Sequence, residues 1–322
     1  MIEEPPIADV VGVGLNATDT LILLPHFPLF DSKVEFTSAA VRPGGQVASA
    51  MVACQSWGLR ARYVGKVGDD SPAELQRREL AGAGVDAHLL VVPGCSSQVA
   101  FILVDQTSGE RTILWKRDPR LTLRPDELHR DWIVRARALH LDGHDTAAAT
   151  ASARWARAAG VVVTADLDNL YSGVEALLEN VDYLLASRDF PARLTGEADL
   201  LKSLPAIQSQ YGCRVAGVTL GRAGALACDG RQFHYSPGYQ VEAVDTTGAG
   251  DIFHGAYVYA LLQGWLLARQ LDFACAAAAL NCTALGARGG IRPVAEIERL
   301  MREGTRHLAA YRPEELHRSA SV

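Results

Sequence analysis

The chain has no CxxC pair. Its six cysteines, Cys54, Cys95, Cys213, Cys228, Cys275 and Cys282, are scattered, which fits reduced, buried thiols and argues against a disulfide framework or a zinc site. No basic tail or stripe offsets a formal charge of −6, so a general nucleic-acid binder is excluded and small molecules are the expected partners. The opening MIEEPPIADVVGVG starts acidic and lacks the basic region and apolar core of a secretory signal, so a cytoplasmic location is expected. The uncharged stretch Ile252 to Ala268 approaches the length of a membrane span, but His254, Gln263 and two glycines interrupt it. A buried core helix, with no membrane partner, is the expectation. Repeats, low-complexity tracts and long linkers are also missing. We therefore expect a single α/β domain over 1–312, with the polar residues 313–322 forming a flexible tail.

What is present reads as a globular chain long enough to bury a large core, 48% hydrophobic and 21% charged. Strand-like runs at Ala8 to Gly14, Ala61 to Val67, Ala138 to Leu141, Val161 to Asp166, Tyr183 to Leu185 and Val215 to Leu220 alternate with helical periodicities. The helices are expected at Gln46 to Trp57, Thr146 to Ala159, Leu200 to Tyr211 and in a pair after Asp251. This alternation predicts a doubly wound, mostly parallel sheet flanked by helices. Val34 to Val41, Val99 to Asp105 and Thr112 to Lys116 break the pattern. The last two flank Gln-Thr-Ser-Gly-Glu, a hairpin turn. They predict a small β-sheet lid with strands from about 16–43 and 97–118, whose exposed edges favour a homodimer.

Several familiar signatures fail on inspection. Gly12-x-Gly14-x-x-Ala17, with Asp31 further on, satisfies a dinucleotide fingerprint, but Pro25 and Pro28 fall where its helix should continue. His129-Arg130-Asp131 lacks the asparagine of a protein-kinase catalytic loop, Ala136 standing there, and reads as a solvated helix face. His140 and His144 have metal-like spacing without an HExxH. Gly65-Lys66 is followed by valine, so there is no Walker A sequence.

The most informative segment is DTTGAGD, Asp245 to Asp251, between a short apolar run and a long uncharged helix-like run. The first N–H groups of a helix lack intrahelical partners and carry the positive end of its dipole, so they attract phosphate. Gly248, Ala249 and Gly250 leave that approach open, and glycine tolerates the dihedrals of a tight nest of N–H groups. Asp251 can accept the proton of an incoming hydroxyl while those amides stabilise the transferring group. The chemistry this points to is phosphoryl transfer to an alcohol, a reaction that a lid protects from water.

Six motifs then occur in order: GVGLNATD, RPGGQVASAMVA, YVGKVGDDS, VTLGRAGAL, VDTTGAGDIFHGA and NCTALGARGGI. Through them the chain resembles the PfkB/ribokinase family of carbohydrate kinases along nearly its whole length. The resemblance implies a ribokinase-like fold and ATP- and Mg2+-dependent phosphorylation of a sugar or sugar derivative. It places Asp19 and the Gly44-Gly45 turn on sugar hydroxyls, and Ser187, Thr219, Gly221, Gly224 and Asn281 at ATP. Gly248, Ala249 and Gly250 become the anion hole and Asp251 the base. Asp245 and Thr247 match positions that bind a monovalent cation such as K+ in some relatives, or they form a structural cap. Ser49 departs from the asparagine common at its position, so sugar contacts there must differ. The Asn-x-x-Glu that organises magnesium falls on Ala186-Ser187-Arg188-Asp189, with Asp189 in the carboxylate's role and Ser187 a poor substitute for the amide, which implies Mg2+ carried mainly by ATP and water. Lys33, Arg42, Arg111, Lys116, Arg117, Asp142 and His144 are candidates for substrate choice. FHGA, Ser96-Ser97-Gln98 and the CTALGARGGI ending are most similar to the branch containing sulfofructose kinase. A nucleoside kinase on the same scaffold and a non-catalytic sugar or nucleotide sensor are the alternatives.

Overall fold

The computed structural model of the chain describes residues 6–318. In chain order its first half comprises β1 (Ala8–Val13), β2 (Ala17–Leu24), β3 (Ser38–Gly44), α1 (Gln46–Ser56), β4 (Ala61–Val67), α2 (Ser71–Gly82), β5 (Asp86–Val91), β6 (Val99–Asp105), β7 (Arg111–Lys116), α3 (Arg130–Val134) and β8 (Ala136–Asp142). The second half alternates α4 (Thr146–Ala158), β9 (Val162–Leu167), α5 (Val174–Leu178), β10 (Tyr183–Ser187), α6 (Phe190–Thr195), α7 (Leu200–Tyr211) and β11 (Val215–Thr219). An antiparallel pair follows, β12 (Ala225–Cys228) and β13 (Phe233–Ser236), then α8 (Ala249–Leu262), α9 (Leu267–Asn281), α10 (Val294–Glu303) and α11 (Pro313–Arg318).

A nine-stranded sheet runs in the order β13-β12-β11-β10-β9-β8-β1-β4-β5, parallel from β11 to β5. Helices cover both faces, which is why β4 is buried at every position, β8 at all but its first two and β9 at all but its first. One face packs α4, α5 and α7; the other packs α1, α8 and α9. The expected α/β architecture is therefore present. The expected helices and core strands fall within one or two residues of the observed bounds.

A second, four-stranded sheet has the order β3-β2-β6-β7, with β2 and β6 parallel and the outer pairings antiparallel. Its register sets two faces. Asp19, Leu21, Arg42, Ala100, Ile102, Trp115, Ile113 and Arg111 share the inner face, where Leu21, Ala100, Ile102 and Val104 pack beside Leu285. Val41, Phe101 and Leu114 share the outer face and stand half-exposed.

Two expectations shift. The strand read at Val34 to Val41 instead starts at Ser38 and runs to Gly44, because it pairs only where β2 offers a partner, from Leu23↔Ser38 to Ala17↔Gly44. Beyond Leu24 the prolines at 25 and 28 leave nothing to pair with. The stretch Ile252 to Ala268 is two helices joined at Gly264 (φ 71°), and among the described residues no helix is long and apolar enough to cross a membrane. Of the expected tail, residues 313–318 form α11, and 319–322 lie outside the described residues.

Candidate functional site

The candidate residues gather at the carboxyl ends of β1, β8, β9 and β10, the usual ligand side of an open parallel sheet. Gly248 caps α8 at φ 73°, and a β-carbon there would collide with the Ala287 backbone. The first rung of the helix is Ile252 N–H donating to Gly248 O at 2.9 Å, so the amides of Gly250 and Asp251 precede the ladder. Gly250 looks into open space, with nothing within 4 Å of where its β-carbon would stand. Asp251 lies in this first turn. Burial raises its carboxyl above the ordinary range, while the charges of His254, Arg111 and Arg288 pull it back. The β6–β7 hairpin reaches the cradle: Arg111 Nη1 donates to Thr246 Oγ1 at 2.7 Å, and that hydroxyl donates to Gly109 O at 3.1 Å.

Asp19 approaches from β2, 5% exposed. Burial and the nearby charge of Asp251 push its carboxyl up to about 7, against the pull of Arg288. The Gly44-Gly45 turn closes over it: a β-carbon on Gly44 would overlap the Asp19 carboxylate, and Gly45 (φ 94°) abuts the Asn16 backbone. Beneath the turn lies Arg288, which the sequence reading passed over inside NCTALGARGGI. Its Nη2 donates to Gly44 O at 2.9 Å and its Nε to Ser49 Oγ at 3.2 Å, while Nη1 is buried without a partner. Burial pulls this guanidinium down to about 10. The shortness of Ser49 was the available signal, since a longer group had to fill the space left by the missing amide.

The acids of the site divide by what holds them. Asp142 accepts Leu15 N–H at 2.7 Å and His144 N–H at 3.1 Å, and burial raises it to about 7. Asp245 accepts Thr247 N–H at 2.9 Å and Gly286 N–H at 2.8 Å, one on each oxygen, which is the cap arrangement; Thr247 Oγ1 is buried without a partner. Asp166 meets Gln46 Nε2 at 3.5 Å and His254 Nδ1 at 3.3 Å. Among the described residues, no protein donor engages the carboxylates of Asp19 or Asp251.

Three expectations are corrected. Asn281 is fully buried and does not face a nucleotide: its amide donates to Thr247 O and Ala287 O, both at 3.2 Å, and accepts Gly290 N–H at 3.1 Å, tying two loops together. The Arg117 fork is filled by Asp145 at 2.8 and 2.7 Å and by Leu121 O at 2.8 Å, so it is not free for a substrate. Asp142 is likewise committed to backbone amides and crowds Gly14, whose β-carbon would strike it. The remaining candidates scatter. Lys33 is exposed in the β2–β3 loop, and Lys116 pairs with Val99 on the outer face of the small sheet. Arg42 sits on its inner face with Arg111. His144 hydrogen-bonds the Tyr171 hydroxyl at 3.0 Å and meets the Trp115 ring edge-on at 5.7 Å.

On the nucleotide side, Thr219 ends β11 half-buried, and Gly221 (φ 58°) and Gly224 (φ 97°) frame the turn to β12. A β-carbon on Gly224 would strike Ser236 O. Ser187 ends β10, its Oγ donating to Asp168 O at 3.3 Å, and Asp189 stands exposed just beyond. Among the described residues no group of three or more His, Cys, Asp or Glu side chains is placed to hold a metal ion. The dinucleotide reading fails because β1 leads into a strand, and Gly12 serves contact with Val47 and Met51 of α1.

Comparison with known proteins finds relatives along nearly the whole chain. The pfkB family carbohydrate kinase model matches residues 9–293. An ATP-dependent ribose-1-phosphate kinase from Halopiger xanaduensis is 30% identical over 283 residues, 87% of this chain and 93% of that protein. A crystal structure of an Agrobacterium tumefaciens protein assigned as a ribokinase superimposes with a TM-score of 0.85 at 32% identity, covering 91% of this chain and 97% of that one. An Escherichia coli protein assigned as ribokinase II, solved in complex with ATP and Mg2+, shares the fold with a TM-score of 0.80 at 22% identity, over 92% of this chain and 99% of that one.

Proposed function

Since the chain belongs to the pfkB family of carbohydrate kinases, we propose that it transfers the γ-phosphoryl group of ATP to a primary hydroxyl of a sugar or sugar derivative, with Asp251 as general base. The observation that carries this reading is the division among the acids. Asp142, Asp166 and Asp245 are held by protein donors, whereas Asp19 and Asp251 keep their carboxylates free beside the open amides of α8. Asp19 accepts from sugar hydroxyls under the Gly44-Gly45 turn. Asp251 takes the proton of the attacking hydroxyl, and the Gly248 and Gly250 amides stabilise charge on the group in transit, whereas the Ala249 N–H expected to join them is already donated to Thr246 O at 3.3 Å. The β6–β7 hairpin excludes water and brings Arg111 to the cradle.

ATP lies along the carboxyl ends of β10 and β11, against Ser187, Thr219, Gly221 and Gly224. Mg2+ arrives on its phosphates and supplies charge neutralisation. The exposed carboxylate of Asp189 fits contact with the ion's water shell and not a protein cage. Arg42, Arg111 and the unpartnered Nη1 of Arg288 present cations to the acceptor side, which supports an acceptor carrying an anionic group. The half-exposed apolar outer face of the small sheet, Val41, Phe101 and Leu114, supports a homodimer through that face.

One observation favours a nucleoside acceptor instead: Trp115, 58% exposed on the inner face, offers a stacking surface for a base. A panel of neutral sugars, sugar phosphates, sugar acids, sulfosugars and nucleosides, incubated with ATP and Mg2+ and read by mass spectrometry, separates the readings. ATP-dependent phosphorylation of a sugar, strongest among the anionic ones, is expected. Turnover of nucleosides alone would replace the sugar reading, and ATP binding with no turnover of any acceptor would point to a sensor.

A further inference from the structure

His254 lies one helical turn beyond Asp251, and its side chain is 5% exposed. Nδ1 is 2.6 Å from Gly250 O and Nε2 is 2.9 Å from Leu185 O. A carbonyl oxygen only accepts, so both ring nitrogens must donate. A neutral imidazole carries a single N–H, and its other nitrogen would press a lone pair against a carbonyl at one of these two contacts. The doubly protonated ring satisfies both. The Asp166 carboxylate, 8% exposed, stands 3.3 Å from Nδ1 as the counter-charge.

We propose that His254 is a buried imidazolium, braced by Asp166, that acts as a positioning residue for the general base: it fixes the first turn of α8 and holds Asp251 in its ionised form. This rests on the assignment of Asp251 as base. A carboxylate without protein donors in a buried site tends to take up a proton, and a fixed cation one turn away opposes that. The pair also joins parts of the site that must move together. Asp166 meets Gln46, which follows the Gly44-Gly45 turn, and Leu185 is two residues from Ser187 on β10. Acceptor turn, base helix and nucleotide-side strand therefore converge on one ion pair.

Charged groups face the pair from every side. Asp166 and Asp168 come from β9 and its end, Asp251 from the same helix, and His140 from β8, its ring stacked at 5.9 Å. Around Asp251 stand also Arg111 from β7, Arg288 from the segment after α9, and Asp19 from β2. On balance burial holds the His254 imidazole below its ordinary value and Asp166 well above its own, although the two carbonyls and the charges of Asp251 and Asp168 pull the imidazole up; the charged ring follows from the two carbonyl contacts, each of which needs an N–H. The neighbouring ring is neutral: burial and the His254 charge hold His140 near 3, with Nδ1 bonded to Thr164 Oγ1 at 2.9 Å.

Two measurements test the proposal. In the ligand-free protein, ring nitrogen shifts of His254, assigned by their loss in His254→Asn, should show both nitrogens protonated at pH 7.5, and in Asp166→Asn the ring should deprotonate at lower pH than in the wild type. A neutral ring at pH 7.5 overturns the proposal whether or not the kinase assignment stands. In turnover, with His254→Asn shown folded by its melting transition and by binding of an ATP analogue, the acid limb of kcat/KM for the acceptor should move up by about half to one pH unit. The deficit should be largest at acid pH and shrink as pH rises. An equal loss at every pH would make His254 a packing residue only. If the ring is charged while no sugar is turned over, the assignment of function fails and the charge state stands.

Discussion

Gly44 is glycine because of Asp19: a β-carbon at position 44 would occupy the space of the Asp19 carboxylate. The two residues sit on adjacent strands, and Gly44 also hands its carbonyl to Arg288. Gly44→Ala must therefore displace the acid, the arginine or both. We expect KM for the acceptor to rise by about tenfold or more, with KM for ATP changed by less than about threefold. Steady-state kinetics varying each substrate in turn checks this, and an equal rise in both constants would place Asp19 outside the acceptor site.

Asp19 also predicts a trade of stability for function. Its carboxyl titrates at about 7 in the folded protein against 3.8 ordinarily. Between those values the native state holds a proton the unfolded chain has released, so this contribution is present at low pH and lost as pH rises through 7. Asp19→Asn removes the buried charge. Its Tm relative to wild type should rise between pH 5 and pH 8, while acceptor turnover falls at both. A Tm difference independent of pH would show that Asp19 is not strained by ionisation.

Arg288 is buried beside the acceptor turn with one nitrogen unpartnered. Arg288→Lys keeps a charge but loses the planar fork that spans Ser49 and Gly44. For an anionic acceptor, kcat/KM should fall by roughly 10- to 100-fold, and for its neutral analogue by much less. Equal losses for the two acceptors would mean that Arg288 only supports the turn.

The outer face of the small sheet exposes Phe101 and Leu114 at paired positions of β6 and β7. Phe101→Glu combined with Leu114→Glu should convert a dimer to a monomer by sedimentation, with the core sheet intact by circular dichroism. An unchanged sedimentation coefficient in a dimeric protein would move the interface elsewhere.

The core was legible because strands buried on both faces read as nearly continuous apolar runs, as in Val161 to Ala165 with Thr164 the one interruption, and α4 and α7 carry clear periodicity. β2 and the true start of β3 were hidden. Their limits are set by pairing with each other, from Leu23↔Ser38 to Ala17↔Gly44, and not by either segment's composition. In the site, DTTGAGD and the double glycine announce themselves because each glycine answers a local need. Which polar residues are already spent is a tertiary fact. Asn281 and Arg117 carry suitable groups but lose them to loop carbonyls and to Asp145, and Arg288 gains its place only when the segment after α9 folds beneath Gly44.

In the proposed reaction Asp251 removes the proton of an alcohol as phosphoryl transfer proceeds above the α8 amides. The most direct measurement compares wild type with Asp251→Asn, using the best acceptor and following both turnover and ATP binding. The substitution should lower kcat by about 10²- to 10⁴-fold while leaving the affinity for ATP nearly unchanged. Turnover close to wild type in a folded, ATP-binding variant would contradict the account.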